Sequence, residues 1–238
     1  MIEVTNLVKD YGSIRAVDGV TFNVKPGDIL GFLGPNGAGK STTMKILTGF
    51  LPATSGSATI GGLDVAEDAV AAREQFGYLP ESGPLYPEMT AGEFLRFAAD
   101  LRRLSPAAKQ AALDRVIAAC HLERVLHQTI ETLSKGFRRR VGLAQAILHD
   151  PKYLIMDEPT DGLDPNQKRE VRNLIASMGS DKAVILSTHI LEEVDAMCNR
   201  VIVLTDGKIV ADEPIEALRA RAGSLEEVFY QLTNPKAA

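Results

Sequence analysis

The sequence predicts an α/β protein: a mostly parallel sheet at the centre, antiparallel strands at the beginning and a helical segment inserted midway. Three observations carry that expectation. Short, almost wholly apolar runs at 153–156, 183–187 and 201–204 have the composition of strands buried on both faces, the usual environment of parallel strands. Helix-start signals crowd into 90–149, where Thr90-Ala91-Gly92-Glu93 forms a capping box and Ser105-Pro106 places a cap before a first-turn proline. The opening residues instead alternate short β-rich segments with tight-turn residues.

Taken in order, 2–7, 20–24 and 29–33 read as strands, with Lys25-Pro26-Gly27-Asp28 turning the second into the third. A helix starts inside a glycine-rich loop and runs over 41–47, stopped by Gly49 and Pro52, and 57–65 read as a further strand and turn. An alanine-rich helix follows Ser105 and reaches Cys120. After Pro151 strands and helices alternate again; Asp164-Pro165 opens one helix and Gly179 closes it, and Asp206-Gly207 makes a hairpin with 208–211. Neither a repeat nor a low-complexity segment interrupts this order.

The length, 238 residues, suits one α/β domain with an inserted subdomain. Lys and Arg number 26 against 31 Asp and Glu, a formal charge of −5, so no nucleic-acid partner is expected from bulk electrostatics. Cys120 and Cys198 lie far apart without ligand spacing and read as small buried hydrophobes of a reducing compartment. The apolar runs are too short to cross a bilayer, and the opening Met-Ile-Glu-Val has no basic leader. A cytoplasmic chain is expected, and any work at a membrane would need another polypeptide to supply the membrane part.

Gly34-Pro35-Asn36-Gly37-Ala38-Gly39-Lys40-Ser41-Thr42 fits G-x-x-x-x-G-K-[ST], between a strand and a helix, the context that gives the pattern meaning. Its glycines let backbone N–H groups turn inward around phosphate oxygens, and the helix N-terminus adds partial positive charge. Lys40 is suited to the β- and γ-phosphates, and the Ser41 hydroxyl to Mg²⁺. Farther on, Asp157 and Glu158 end a buried strand. Strand alternation would send them in different directions, leaving Asp157 to hold the metal's coordination shell and Glu158 to orient and partly deprotonate an attacking water.

With these motifs in place the chain resembles the ATP-binding subunit of an ABC transporter over residues 1–220, because seven motifs occur in that family's order. Tyr11 matches the residue that stacks on adenine, 34–42 the Walker A loop, and Gly77-Tyr78-Leu79-Pro80-Glu81 the Q-loop. Leu133-Ser134-Lys135-Gly136-Phe137 stands in place of the Leu-Ser-Gly-Gly-Gln signature. Asp157 and Glu158 match Walker B and the catalytic glutamate, Asp164 the D-loop aspartate and His189 the switch histidine. The resemblance implies a P-loop NTPase (RecA-like) core in 1–82 and 150–215 with a β subdomain, a helical subdomain in 83–149 carrying the signature, and a helical extension over 216–238. It also implies ATP and Mg²⁺ as cofactors and a head-to-tail homodimer around two ATPs.

In that dimer Ser134 and the Gly136 amide would donate to the γ-phosphate held by the other copy's phosphate loop. Lys40, Glu158 and His189 would be the catalytic set, and Ser41, Asp157 and Glu81 the metal set. Arg138, Arg139 and Arg140 are expected mainly to face solvent, neighbouring carboxylates or a partner. His121, His127 and His149 are expected to be structural. Residues 82–89, with Pro84, Tyr86 and Pro87, are the expected surface for a membrane permease, which would hold the subunit at the inner face of the membrane.

Three positions depart from the family pattern: Glu81 stands where glutamine is usual, and Lys135 and Phe137 replace Gly and Gln. Together with Ser224-Leu225-Glu226-Glu227-Val228-Phe229, they make the chain most similar to the ABC-2 branch, mostly exporters of the gliding-motility, multidrug and polysaccharide kinds. The alternatives are a non-transport ABC ATPase on ribosomes or DNA, a P-loop kinase or GTPase, and a regulatory subunit that only binds nucleotide.

Overall fold

The computed structural model describes residues 1–83, 85–221 and 224–233. Strands β1 (Ile2–Tyr11), β2 (Ile14–Val24), β4 (Ser55–Ile60) and β5 (Leu63–Asp64) make an antiparallel sheet in the order β2-β1-β4-β5. The other sheet contains β3 (Ile29–Leu33), β6 (Phe76–Leu79), β7 (Tyr153–Asp157), β8 (Ala183–Thr188), β9 (Arg200–Thr205) and β10 (Lys208–Pro214), in the order β10-β9-β3-β8-β7-β6. Its strands run parallel except β10. β10 returns antiparallel through Asp206 and Gly207, both at positive φ (48° and 76°), as a type I′ hairpin turn requires.

The helices are α1 (Lys40–Leu47), α2 (Ala69–Gln75), α3 (Ala91–Leu101), α4 (Pro106–Ala119), α5 (Lys135–Ile147), α6 (Pro165–Met178), α7 (Leu191–Met197), α8 (Ile215–Arg219) and α9 (Leu225–Thr233). The sequence places most of these elements, within a few residues at their ends. β2 begins at Ile14 rather than Val20, because pairing with β1 extends the strand through residues of mixed polarity. Residues 234–238 of the expected C-terminal extension lie outside the described residues.

Every residue of β3, β7 and β8 is buried, which explains the missing polar alternation. Their side chains alternate between two cores. Phe32, Ile155 and Ile185 face one with Phe22 of β2 and Met44 of α1. Leu154, Met156 and Leu186 face the other with Val141 of α5 and Val171 of α6. Each such side chain removed from water contributes about 1.5–3 kcal/mol, so the sheet is held from both faces.

The expected caps are present and explain the helical insert. Thr90 N–H donates to Glu93 Oε2 at 2.9 Å and Glu93 N–H to Thr90 Oγ1 at 3.2 Å, closing the reciprocal box at the start of α3. Ser105 Oγ accepts from Ala108 N–H at 3.4 Å ahead of Pro106. Asp164 caps α6 by accepting from Asn166 and Gln167 N–H at 3.0 and 2.9 Å. Gly179 ends α6 with an ordinary φ of −70°; a Cβ there would stand 2.5 Å from Ile29 Cδ1, so packing rather than a left-handed turn selects glycine.

β6 is the edge strand that sequence patterning does not reveal, because Phe-Gly-Tyr-Leu has a glycine in its middle. The glycine answers to a neighbour. α5 lies so close to β6 that a Cβ on Gly77 would come 1.9 Å from the Ala146 carbonyl oxygen. α5 therefore packs backbone against backbone on the core sheet.

The two cysteines are buried and unpaired, and burial pushes the Cys120 thiol up to about 12, consistent with a packing role. His149, between α5 and β7, bonds the Phe76 carbonyl at 3.2 Å through Nε2. Burial, with Arg102 nearby, pushes its pKa down to about 4. The unfolded chain therefore binds a proton below about pH 6.5 that the folded chain refuses until about pH 4. Stability should fall as pH drops through that window, by about 1–2 kcal/mol once solvent screening is allowed for. Denaturant melts at pH 7 and pH 4.5 should show this component for the wild type and not for His149→Gln.

Candidate active site

Parallel pairing brings four chain segments out at one edge of the sheet. Leu33 pairs with Thr188, Asp157 with Ser187 and Leu79 with Met156, so β3, β8, β7 and β6 end at nearly one level. The segments that follow, beginning at Gly34, His189, Glu158 and Pro80, share the crevice beyond the strands' carboxyl ends, where open α/β sheets form their sites. A cavity of about 470 Å³ lies there, and Asn36, Lys40, Ser41, Glu81, Glu158 and His189 line it.

The loop from Gly34 to Gly39 has a shape only glycine allows at its end. Gly39 has φ 101°, and a Cβ on it would lie 2.4 Å from the Ala16 carbonyl oxygen. α1 then begins at Lys40 with no side-chain cap, leaving its first N–H groups directed at the cavity. Lys40 Nζ donates to the carbonyl oxygens of Gly34 (2.6 Å) and Pro35 (3.1 Å). Burial lowers its pKa, and the charges of Glu158 and Asp157 oppose that shift.

At the floor, Ser41 Oγ is 3.4 Å from Asp157 Oδ1, which also accepts from the Ser187 hydroxyl. These oxygens fit a magnesium site that takes the rest of its shell from water and phosphate. No group of three acidic, histidine or cysteine side chains among the described residues forms a complete metal cage. Beside them His189 Nδ1 is 3.0 Å from Glu158 Oε1. The peptide N–H of Glu158 donates to the carbonyl and the hydroxyl oxygen of Ser187 (3.1 and 3.2 Å).

Asp157 and Glu158 do diverge, but strand alternation is not the reason. Asp157 is the last residue of β7, and Glu158 has already left the strand with φ 51°, a left-handed conformation that turns its carboxylate toward the cavity.

The comparisons with known proteins agree with this geometry. Residues 17–161 match the family described as ABC transporter. The chain belongs to the ABC transporter family. The linearmycin resistance ATP-binding protein LnrL of Bacillus subtilis is 34% identical over 98% of this chain and 75% of its own length. A solved ATP-binding subunit of an ABC transporter superposes with a TM-score of 0.90 at 33% identity, covering 98% of this chain and 99% of that one. The dimeric structure of MJ0796, a bacterial ABC transporter cassette, gives 0.82 at 25% identity over 90% and 99%; MJ0796 is also known in a post-hydrolysis state bound to ADP and Pi. This chain is an ATP-binding and ATP-hydrolysing cassette.

Within the cassette, Thr42, Gly37 and Gly39 also line the cavity, and Gly34, Pro35 and Ala38 shape the loop behind it. Tyr11 stands half exposed at the end of β1 with the Lys9 ammonium 5.4 Å from its ring centroid, and it is not among the residues that line the cavity. Asp164 is occupied in capping α6. Ser134 caps α5, its Oγ accepting from Phe137 N–H at 3.3 Å, and its own O–H remains a donor. Gly136 is buried against α6, where a Cβ would meet Gln167 Oε1 at 2.4 Å.

Lys135 pairs with Asp161 at 2.8 Å within the same chain, and this contact holds the Asp161 carboxyl below its usual range. Arg138 is exposed as expected, but Arg139 and Arg140 are buried, because the helix face that carries them packs on the core rather than outward. Arg140 lies over the Phe137 ring at 4.8 Å and 3.7 Å from Glu170. Arg139 donates to carbonyl oxygens at the ends of β6 and β7.

Sequence reading also misses Glu193. It looks like an ordinary acid in the first turn of α7, yet its carboxylate is fully buried. It accepts from Thr160 and, at 2.9 Å, from Thr188, with Lys168 at 3.3 Å and Arg172 at 3.7 Å. It thus ties the segment after Glu158 to the residue before His189. Glu193→Ala should lower unfolding free energy by about 3 kcal/mol, since it strands buried hydroxyls and two cations, and chemical denaturation measures this directly.

Proposed function

We propose that this cassette works as the nucleotide-driven engine of an exporter, closing head to tail with a second copy around two ATPs and acting on a separate membrane permease. The convergence of Lys40, Ser41, Glu81, Glu158 and His189 on one cavity carries the reading. The phosphates of ATP lie on the N–H groups of the 34–42 loop, with Lys40 exchanging its loop carbonyls for β- and γ-phosphate oxygens. Tyr11 offers its exposed ring to adenine. Ser41 and Asp157, with Glu81 at the rim, would hold Mg²⁺, which would neutralise charge on those phosphates. Glu158, oriented by His189, accepts a proton from the attacking water.

The other copy supplies the Ser134 hydroxyl and Gly136 amide from the start of its α5, where the helix dipole favours an anion, and Asp164 lies in the segment that faces across the interface. Hydrolysis removes the γ-phosphate that joins the two halves, and the dimer opens. The division into a core (1–82 and 150–215), a helical subdomain (83–149) and a C-terminal extension belongs to this reading, with the helical subdomain moving on closure. Residues 82–89, of which Pro84 lies outside the described residues, border a groove of about 410 Å³ walled by Leu79, Leu85, Pro87 and Ile130, and Tyr86 there rests edge-on to Phe97 at 5.5 Å.

This surface suits a permease segment and would hold the subunit at the inner face of the membrane; among the described residues no helix is long and apolar enough to span it. Export is supported by the resistance function in the name of LnrL, and the ABC-2 branch by the sequence pattern at Glu81, 133–137 and 224–229. The net charge of −5 disfavours a nucleic-acid partner.

Two substitutions test this reading. Glu158→Gln should bind ATP and dimerise while phosphate release falls about 10²–10³-fold; wild-type turnover would remove Glu158 as the base. Ser134→Arg should keep monomeric ATP binding and lose ATP-dependent dimerisation in sedimentation, and an unchanged dimer would exclude the shared site.

A further inference from the structure

Arg139 is unusual among the buried groups of this chain. The residue is 8% exposed, and among the described residues its guanidinium meets no carboxylate directly. Its five N–H groups instead match five carbonyl oxygens. Nη1 donates to Pro80 (2.5 Å) and Glu81 (2.9 Å), Nη2 to Asp157 and Glu158 (the latter 2.5 Å), and Nε to Pro159 (3.3 Å). Two of these acceptors lie just beyond β6, and three span the end of β7. Arg139 does not line the nucleotide cavity; it borders the neighbouring groove.

A buried cation without an ion pair carries a desolvation cost. Here burial lowers its pKa, and the fields of Asp157, Asp161, Glu158 and Glu81 oppose that shift. The cation therefore offsets the crowd of negative charge behind the cavity while its hydrogen bonds fix backbone. The backbone it fixes includes the peptide of Glu158, the residue at φ 51°. It also includes the peptide of Glu81, which reaches the same cavity from the other side.

We infer that Arg139 is a positioning residue for hydrolysis: from α5 it sets the direction of the Glu158 and Glu81 side chains through their peptide carbonyls. Ser134 caps α5, so the helix whose start is offered to the second copy's ATP also holds, just over one turn later, the catalytic carboxylate of its own site. A shift of α5 changes five hydrogen bonds at once and with them the aim of Glu158. This inference rests on Glu158 acting as the base.

The test compares full-length wild type, Arg139→Lys, Arg139→Gln and Glu158→Gln with Mg·ATP. Arg139→Gln, which donates only two hydrogens, should lower kcat about 10- to 100-fold while nucleotide Kd and KM stay within about threefold. Arg139→Lys, keeping the charge but not the fork, should fall between it and wild type. Single-turnover hydrolysis of radiolabelled ATP should show the double variant Arg139→Gln/Glu158→Gln no slower than Glu158→Gln alone, because Arg139 acts through Glu158.

Full kcat in Arg139→Gln, a loss confined to KM, or multiplied losses in the double variant would overturn the inference. If Arg139→Gln does not fold, Arg139→Lys decides: kcat at least fivefold down with KM unchanged supports it, and wild-type kcat overturns it. Wild-type turnover by Glu158→Gln would overturn the assignment of the base instead, a result distinct from an inert Glu158→Gln beside a fully active Arg139→Gln.

Discussion

Parallel hydrogen bonding between β3, β8, β7 and β6 fixes the height at which four chain segments leave the sheet, and the site follows from that alignment. Because Leu33 sits opposite Thr188 and Asp157 opposite Ser187, the phosphate loop, the acidic pair and the histidine begin within one residue of the same level. A parallel sheet needs both faces covered. Here the cover comes from the antiparallel sheet with α1 on one side and from α5 and α6 on the other. Burial thus supplies the rigidity that lets short loops hold reacting groups a few ångströms apart.

The features legible in the sequence are those with a local cause. Wholly apolar runs disclose β7, β8 and β9; caps disclose α3, α4 and α6; and the Gly34–Thr42 pattern discloses its loop because glycines and a lysine at fixed spacing have one chemical use. The features that escape are set by neighbours distant in sequence. Gly77 weakens the pattern of β6 for the sake of α5. Arg139 looks like one more surface cation in a basic triplet until the helix is seen lying on the core. Glu193 looks like a helix-start acid, and only the fold brings Thr160, Lys168 and Arg172 to it. A pattern of types along the chain cannot distinguish an outward arginine from an inward one; the register of α5 against β6 and β7 does.

The departures from the family pattern can also be placed. Lys135 is engaged within its own chain by Asp161, an exposed pair of small energetic weight that a phosphate could readily displace. Phe137 is half buried beneath Arg140, so it serves the packing of α5. Glu81 lies at the mouth shared by the cavity and the neighbouring groove, where a carboxylate can sense both.

The left-handed backbone of Glu158 has a consequence for how freely this position can drift. An L-residue with a side chain carries a penalty of about 1 kcal/mol there relative to glycine, so exchange for glycine would ease the backbone while deleting the carboxylate. On the role proposed for Glu158, folding and turnover thus favour different residues at one site. The glutamate stands as a local surrender of stability, of the kind that separates the most stable sequence for a fold from the one that does its chemistry.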